Sequence, residues 1–563
     1  MTKPKEDFIS RGFLVAATAL TILIAVSFIP PINAGGVKLR RASIVADVIN
    51  HTEQTVDNQE PQPEIDVKEF EVDLQQVAEQ VAQTTATASP TGTATSASWE
   101  GIFEEQPSGG SVDSSVEMEQ HTPTSPHRLP EVDFSGILPE DSMLTNIEYF
   151  GAENRGMDKF YDKLLAGKGV RIAFMGDSFV EGDILTADLR ELLQDTFAGG
   201  GAGFAPVASP FTAYRQTIKT TARGWTPYNI MQRKTTPEPL RGDYFVSGWV
   251  AQGSDGASTR WDMTQSRRHL DECRRARLLF ISREDADIAV TINDGEERIF
   301  SFKGNDIVRQ IVIEGERIAS LEMRILSGGD GFTGYGAEFE DLQGVTVDNL
   351  SVRSNNGQAM FWSNPAVNAQ INTMRQYDLV VLQYGLNIMQ AERKDYSLYA
   401  QQVEKMIHFV QSCFPEAAVL VMAVSDRSQR GEKGIQPMTV ATNLAEWQRH
   451  AAEKCKVAFW NTYEAMQLLG GMKSFVANGW AGKDYTHINY AGGKQIATSL
   501  YYALLHGAQE YTVSALKRVQ PAQPVLSKEL QIAAPAMNLQ QPSKVEVTMV
   551  ATLRDTTSNI MLQ

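Results

Sequence analysis

Three residues in this sequence could act together on an ester carbonyl. Ser178 stands in the stretch RIAFMGDSFVEGD, where an apolar run ends at Gly176 and a helical pattern begins a few residues later. A carboxylate and an imidazole, Asp484 and His487, lie three residues apart in WAGKDYTHINYAGG. A serine hydroxyl becomes a nucleophile when a neighbouring imidazole accepts its proton and a carboxylate orients that imidazole.

Each of these motifs also has an ordinary structural interpretation. Ser and Asp are common turn residues and helix caps, so an isolated Gly-Asp-Ser is usually only a turn. A surface loop can equally hold an Asp and a His at this spacing with no chemical role. The interpretation as an active site therefore depends on whether the fold brings the motifs together.

The elements around these residues alternate between strand and helix patterns. The runs VRIAFMG, YDLVVLQYG and EAAVLVMAVS are apolar, and each is followed by an amphipathic stretch such as ILTADLRELLQDTF. This alternation predicts a parallel sheet covered by helices on both faces. Ligands of such sheets bind outside the carboxyl ends of the strands. Since Ser178, Asn387 and Ser425 follow strand ends, we expect them to share one edge of the sheet.

The segment from about Tyr244 to Gly344 interrupts this alternation. Its short runs of alternating character, such as ARLLFISRE and SLEMRILSG, are separated by Gly, Asn and Asp turns. This pattern is typical of an antiparallel β-sandwich and predicts a second domain inserted into the first. Its aromatic side chains could stack on sugar rings or fill the core of the sandwich. The residues concerned are Trp249, Trp261, Phe332 and Tyr335.

Composition excludes several classes of function. The chain has 563 residues and a formal net charge of −17, which disfavours a nucleic-acid partner because such partners require clustered Lys and Arg. Three cysteines are too few for a disulfide framework, and no Cys or His cluster has zinc-type spacing. We therefore expect neither a metal nor an organic cofactor.

The ends of the chain differ in character from its middle. Lys3, Lys5 and Arg11 precede the uncharged run FLVAATALTILIAVSFI, which predicts a membrane anchor, although Ile32-Asn33-Ala34 would also serve as a signal cleavage site. The following segment is rich in Thr, Ser, Gln, Pro and Glu and predicts a flexible tether, with a short helix as an alternative within DVKEFEVDLQQVAEQVAQ. The C-terminal end predicts a loose tail.

Together these residues resemble the four sequence blocks of the SGNH or GDSL-type hydrolases. The blocks correspond to Gly176-Asp177-Ser178, a glycine assigned to Gly357, the Gly-x-Asn motif that ends at Asn387, and the Asp484 to His487 pair. The resemblance implies a three-layer, flavodoxin-like α/β fold.

The same resemblance assigns roles to these residues. It makes Ser178 the nucleophile, His487 the general base and then acid, and Asp484 its orienting partner. The amides of Ser178 and Gly357 and the side chain of Asn387 would form the oxyanion hole, while Asp177 would brace the turn.

A closer resemblance, to peptidoglycan O-acetylesterases, covers roughly residues 145 to 505. It rests on GDSFVEGDILTADLRELL, GGGAGFAP, the interrupted catalytic domain and NGWAGKDYTHINYAGG. In that group the insert is similar to a carbohydrate-binding jelly roll. The sequence departs from the group at Phe179, where a His usually follows the serine, and in lacking an acidic residue after Asn387. Both positions lie at the pocket and bear on the identity of the substrate.

The sequence thus predicts an envelope-facing carbohydrate O-acetylesterase with an acetylated glycan as substrate, on the periplasmic side of a bacterial inner membrane. A glycan O-acetyltransferase using the same triad and a non-catalytic wall-binding protein remain alternatives. The predicted segments are the anchor or signal (1–34), the tether (35–143), the first hydrolase part (144–227), the inserted sandwich (228–345), the second hydrolase part (346–510) and the tail (511–563).

Overall fold

The computed structural model describes residues 71–87, 138–140, 144–151, 156–431 and 434–519, together with short strands at residues 33–34, 37–38 and 97–99. The predicted anchor at residues 1–34 lies almost entirely outside the described residues. The strands, in chain order, are β1 Asn33–Ala34, β2 Val37–Lys38, β3 Ala97–Trp99, β4 Glu148–Tyr149, β5 Val170–Gly176, β6 Gly203–Pro206, β7 Ile218–Arg223, β8 Thr226–Asn229, β9 Trp249–Gln252, β10 Ser258–Met263, β11 Cys273–Ser282, β12 Ala286–Ile292, β13 Arg298–Phe302, β14 Asn305–Ile318, β15 Ser320–Ser327, β16 Phe332–Glu340, β17 Val345–Asn349, β18 Leu379–Gln383, β19 Ala418–Met422, β20 Ser428–Gly431, β21 Gly434–Pro437 and β22 Ala458–Trp460.

The α-helices follow the amphipathic stretches of the sequence. In the helix after β5, for example, Leu189 and Leu193 are one turn apart and both are buried against the sheet. The helices are α1 Leu74–Thr87, α2 Asp158–Leu165, α3 Thr186–Phe197, α4 Pro365–Met374, α5 Ser397–Cys413, α6 Val440–Cys455, α7 Thr462–Leu468, α8 Gly471–Ala477 and α9 Tyr490–Val519.

A six-stranded sheet forms the first core, in the order β17-β5-β18-β19-β22-β4. The first five strands are parallel, and β4 pairs with β22 in the antiparallel sense. Every residue of β5, β18 and β19 is buried, as expected for strands covered on both faces. The predicted α/β class with a parallel sheet is therefore confirmed. The carboxyl ends of β5, β18 and β19, which Ser178, Asn387 and Ser425 follow, meet at one edge, as predicted.

Two further sheets are built from strands that lie between β5 and β17 in the sequence and pair in the antiparallel sense; β3, from earlier in the chain, joins one of them by parallel pairing with β14. One has the order β13-β12-β15-β10-β7, and the other has the order β3-β14-β11-β16-β9-β8, with β6 also paired to β16. Apolar side chains from both sheets form a second hydrophobic core. Antiparallel pairing with these sheets begins at Gly203, in β6, rather than at residue 228, and the parallel sheet resumes at Val345 in β17.

The aromatic residues that sequence patterns offered for sugar stacking belong to the interior. Trp261 is fully buried, Phe332 and Tyr335 are 1 % exposed, and Trp249 is 8 % exposed. Phe332 stacks on Phe280, with the ring centroids 4.9 Å apart. The interpretation of these side chains as core residues is the one that the structure supports, because a buried ring cannot stack on a ligand.

Buried charges join the parallel sheet to the antiparallel part. Asp348, at the end of β17, accepts hydrogen bonds from Arg171 at 3.0 Å and from Arg375 at 2.9 Å. Arg171 also pairs with Glu340, and Arg375 pairs with Glu338; both acids belong to β16. These charges are buried together, so each depends on its partners for the solvation that water would otherwise give.

The flanking segments depart in part from the prediction. α1 lies inside the predicted tether, and its residues Val77 and Val81, one turn apart, are buried as α1 packs on α4 and α5. The apolar spacing of these two valines explains why this stretch forms a packed helix. α9 ends at Val519, beyond the predicted boundary at residue 510. Contacts divide the chain into residues 1–512 and 513–563, and of the second unit the structure describes the end of α9.

Candidate active site

Ser178 lies directly beyond the carboxyl end of β5. The carbonyl oxygen of Asp177 accepts hydrogen bonds from the N–H groups of Val180 and Glu181, which closes the turn around the serine. A Cβ at Gly176 would come within 2.8 Å of Val180 Cγ2, so the tight turn requires glycine there. Ser178 itself is 8 % exposed, so most of the residue is covered by the protein.

Asp177 fixes two parts of the site. Its Oδ1 accepts a hydrogen bond from the N–H of Phe179 at 2.9 Å, which supports the predicted role in bracing the turn. Its Oδ2 accepts a hydrogen bond from Asn387 Nδ2 at 2.9 Å. Burial raises the pKa of Asp177 to about 7, against the lowering effect of the Phe179 N–H, the nearby His487 and the Asn387 amide.

Asn387 approaches the serine turn from the loop after β18, as predicted. The loop turns at Gly385, whose φ of 132° is a conformation that glycine adopts readily. Besides Asp177, Asn387 Nδ2 donates a hydrogen bond to the carbonyl oxygen of Asn355 at 3.0 Å. Both amide hydrogens of Asn387 therefore have protein acceptors, so a substrate oxygen must replace one of them to be bound.

Gly357 ends the loop after β17, where a residue with positive φ is required. Its φ is 97°, and a Cβ there would lie 2.2 Å from Met406 Sδ. Its N–H donates to Asn355 Oδ1 at 2.8 Å. The structure thus brings Gly357 close to Asn387 through Asn355, but the amide predicted for the oxyanion hole already has an acceptor.

Asn355 was not singled out from the sequence. Its side chain accepts from Gly357 and its carbonyl oxygen accepts from Asn387, so it connects two of the predicted blocks. The signal in the sequence was the run SNNG, since an Asn two residues before a Gly commonly accepts the glycine N–H in a turn.

Asp484 and His487 form the predicted pair. His487 Nδ1 and Asp484 Oδ2 are 2.7 Å apart. Asp484 Oδ1 also accepts from the N–H groups of Thr486 and His487, each at 3.1 Å. Burial would raise the pKa of Asp484, but these hydrogen bonds hold it below its ordinary value. With its Nδ1 proton donated to a carboxylate, the neutral His487 ring presents Nε2 as a proton acceptor.

The start of α9 places this pair beside the serine turn. Tyr490 Oη lies 2.6 Å from the carbonyl oxygen of Gly182, four residues after Ser178. A Cβ at Gly493 would lie 1.8 Å from the carbonyl oxygen of Ile184, so the helix contacts this loop backbone to backbone. His487 is near enough to Asp177 to lower its pKa. Within the described ranges, no hydrogen bond joins Ser178 to His487.

A second buried acid, Asp183, holds the loop between β5 and α3. It accepts hydrogen bonds from Asn349 at 3.0 Å, Arg215 at 2.8 Å and Thr217, and pairs with Arg190 at 3.3 Å. Burial alone would raise the pKa of Asp183, but the two guanidinium groups hold it far below its ordinary value. Its partners are spread along the chain, so no local motif in the sequence pointed to this role.

The arrangement suits acyl transfer through a serine. An imidazole oriented by a carboxylate, a serine on a fixed turn and an amide donor lie on loops that contact one another. Among the described residues, no group of three His, Cys, Asp or Glu side chains is placed to hold a metal ion. Ser425, which also follows a strand end, is fully buried, so it contributes no accessible hydroxyl.

No family model and no curated protein matches the chain. A peptidoglycan O-acetylesterase is 21% identical, the match covers 65% of this chain and 99% of that chain, and the TM-score is 0.53. A family two carbohydrate esterase from Cellvibrio japonicus is 9% identical over 52% of this chain and 99% of that chain, with a TM-score of 0.22.

An acetyl xylan esterase also matches, with 14% identity over 28% of this chain and 81% of that chain and a TM-score of 0.23. The fold likeness to the peptidoglycan O-acetylesterase extends over nearly all of that protein's length. The chain therefore shares the fold of this peptidoglycan O-acetylesterase, in agreement with the fold that the sequence resemblance implied.

Proposed function

We propose that this protein is a serine esterase that removes O-acetyl groups from a cell-envelope carbohydrate, with peptidoglycan as the favoured glycan. The observation that carries the proposal is the 2.7 Å hydrogen bond between His487 and Asp484, on a loop that packs beside the turn of Ser178. The fold shared with a peptidoglycan O-acetylesterase supports the choice of substrate.

In the first half of the reaction, Ser178 Oγ attacks the acetyl carbonyl carbon while His487 Nε2 accepts the hydroxyl proton. The tetrahedral intermediate collapses when His487 returns this proton to the sugar oxygen, which leaves as a hydroxyl. The acetyl group remains on Ser178. In the second half, His487 takes a proton from water, the water oxygen attacks the acetyl-serine, and acetate leaves as the proton returns to Ser178.

Substrate binding has two tasks in this mechanism. It must bring Ser178 Oγ into hydrogen-bond distance of His487, as often happens only when the substrate complex forms. It must also give Asn387 Nδ2 a new acceptor, the carbonyl oxygen that gains charge in the transition state. Since Asn387 is held by Asp177 and Asn355, its position is fixed before the substrate arrives.

Hydrolysis is favoured over acetyl transfer by the exposure of the catalytic pair. The side chains of His487 and Asp484 are each 51% exposed, so water can reach the imidazole. A transferase must keep water from its acyl-enzyme until the acceptor arrives. Product analysis with an acetyl donor and a glycan acceptor tests this point, and net gain of acetyl groups on the glycan would contradict the esterase proposal.

The direct test is acetate release by the purified protein from O-acetylated peptidoglycan, acetylated xylan and an aryl acetate. We expect release from peptidoglycan, no release by Ser178→Ala, and an acetyl adduct on Ser178 detectable by mass spectrometry in the wild type. Asn387→Ala should lower kcat about a hundredfold or more. Full activity of Ser178→Ala would refute the mechanism, and sugar binding with no turnover by the wild type would favour the wall-binding alternative.

We also propose that the protein faces the periplasm, held by residues 1–34. The proposal rests on the apolar run in the sequence. In the part of the chain that the structure describes, no helix is long and apolar enough to cross a membrane. Fractionation of cells that produce the full chain, or a chain without residues 1–34, tests it. Only the full chain should sediment with membranes, and equal partitioning of the two would contradict the proposal.

A further inference from the structure

We propose that Arg353 binds a carboxylate group of the substrate, so that the acetylated glycan is one that carries a free acid on or next to the acetylated sugar. This inference rests on the proposed esterase function and adds a specificity-determining residue to it. Four observations support it: a cavity beside the serine turn, the fixed orientation of Arg353, its unused donors and the aromatic surface around it.

The cavity has a volume of about 340 Å³ and is lined by the loops that build the active site. Glu181 and Ile184 come from the loop after Ser178, Arg353 comes from the loop that ends at Gly357, and Tyr490 comes from the start of α9, three residues after His487. Because the same loops carry Ser178 and His487, we expect a sugar whose acetyl group reaches Ser178 to place its neighbouring substituents near this cavity.

Glu181 fixes the orientation of Arg353. Arg353 Nε donates to Glu181 Oε2 at 2.7 Å, and the backbone N–H of Arg353 donates to Oε1 at 3.2 Å. The guanidinium carbon lies 5.5 Å from the centroid of the Phe211 ring. The Glu181 side chain is only 9% exposed, whereas that of Arg353 is 52% exposed. The carboxylate that orients the guanidinium is thus largely covered, and the guanidinium remains open to solvent.

The terminal nitrogens of Arg353 are the unused donors. Within the described residues, neither Nη1 nor Nη2 makes a hydrogen bond to the protein. A guanidinium edge with parallel N–H groups matches the two oxygens of a carboxylate, whereas a neutral hydroxyl or amide engages it less completely. Glu181 is the only acid among the residues that line the cavity, so no second carboxylate repels the ligand there.

The surroundings suit a sugar as the bearer of that carboxylate. Tyr214 is 74% exposed at the edge of the cavity. An exposed aromatic ring offers a flat apolar surface to the C–H face of a pyranose. The protein as a whole has a net charge of −17, which repels an acidic glycan. The positive charge of Arg353 would attract such a glycan locally.

The test uses two probes that differ only at the acid. One is an O-acetylated muramyl disaccharide with a free lactyl carboxylate, and the other is the same disaccharide with that group converted to a primary amide. We expect the wild-type protein to show a kcat/KM at least about tenfold higher for the acid, and Arg353→Met to reduce this preference to about onefold. Arg353→Lys should retain part of it, since a single ammonium cannot match both carboxylate oxygens.

Arg449 provides a matched control for Arg353. It also donates from Nε to a glutamate, Glu148, at 2.7 Å and lies over an aromatic ring, Phe150, at 5.1 Å. It is not among the residues that line the cavity. Arg449→Met should leave the acid-to-amide preference unchanged.

The possible results separate the two proposals. Equal kcat/KM for acid and amide in the wild type, or an unchanged preference in Arg353→Met, would overturn the carboxylate site and leave the esterase proposal standing. Absence of acetate release from both disaccharides and from O-acetylated peptidoglycan would instead overturn the proposed function. Because each variant is compared with itself on two probes, a partial loss of folded protein does not change the ratio.

Discussion

Asn387 Nδ2 and Asp177 Oδ2 are joined by a 2.9 Å hydrogen bond between two loops that are far apart in the sequence. The bond ties the residue proposed to stabilise the oxyanion to the residue that precedes the proposed nucleophile. The carboxyl group of Asp177 is buried there, and its pKa rises to about 7. The site therefore holds, next to Ser178, an acid that titrates near neutral pH.

This titration should appear in the stability of the protein. A carboxyl group whose pKa is raised on folding binds more protons in the folded than in the unfolded state between about pH 4 and about pH 7, so stability falls as pH rises through this range. Between about pH 5 and about pH 8, we expect the free energy of unfolding of the wild type to fall by on the order of 2 to 3 kcal/mol more than that of Asp177→Asn, because the asparagine cannot titrate. Urea unfolding at several pH values measures this, and parallel curves for the two proteins would contradict the assignment.

Replacing Asp484 should lower the rate of catalysis and leave the fold intact. Replacing it with Asn removes the charge that holds the His487 ring and allows the ring to adopt the wrong tautomer, which we expect to lower kcat by a factor on the order of 10² to 10⁴. Asp330→Asn, at an exposed turn, is the control. Initial rates on an aryl acetate with both variants test this. A loss of less than about threefold in Asp484→Asn would remove Asp484 from the mechanism.

The sequence predicted the parts of this site that depend on local patterns. Ser178 and Asn387 follow buried strands that the sequence marks by long apolar runs. Because the carboxyl ends of parallel strands lie at the same edge of a sheet, the two residues were expected near each other. The spacing of Asp484 and His487 is short enough to predict their contact. These positions follow from strand periodicity and from the geometry of a single turn.

What the sequence could not predict are contacts between distant segments. Asp183 and Arg215 are partners only because the chain returns to the same loop through β6, and Arg353 faces Phe211 for the same reason. Antiparallel pairing begins before the predicted boundary at residue 228, since β6 pairs with β16 and β7 with β10, and neither partner is adjacent in the sequence. α1 was predicted only as an alternative within the tether, because two valines alone carry its buried face.

Replacing Gly357 with alanine should destabilise the protein for two reasons that can be measured separately. Gly357→Ala meets both an unfavourable φ of 97° and the side chain of Met406. Gly434 has a similar φ of 90°, and a Cβ added there would meet nothing within 4 Å, so Gly434→Ala isolates the backbone cost, about 1 to 2 kcal/mol. We expect Gly357→Ala to lower the free energy of unfolding by more than this. The double variant Gly357→Ala with Met406→Ala should lose less unfolding free energy than the sum of the two single changes. Urea unfolding of the four variants gives these differences. Equal losses of unfolding free energy for the two glycine substitutions would show that the Met406 side chain can move aside without loss of stability.

Asp348 should be among the most sensitive positions for folding, because it is where the buried charges of the two parts converge. It accepts from Arg171, Arg375, Tyr377 and the N–H of Phe204, and it is fully buried. Asp348→Ala leaves two buried guanidinium groups with fewer acceptors, at a cost on the order of 3 to 5 kcal/mol.

The exposed ion pair between Lys159 and Glu416 is the control for this buried cluster, since its side chains are 67% and 56% exposed. Glu416→Ala should lower the free energy of unfolding by less than about 1 kcal/mol. Unfolding of both variants, followed by circular dichroism and by limited proteolysis, gives the comparison. Because Asp348 lies between the parallel sheet and β16, its loss should also expose cleavage sites in the antiparallel part before the parallel sheet unfolds. Simultaneous loss of both parts at the wild-type midpoint would mean that this charge cluster does not hold them together.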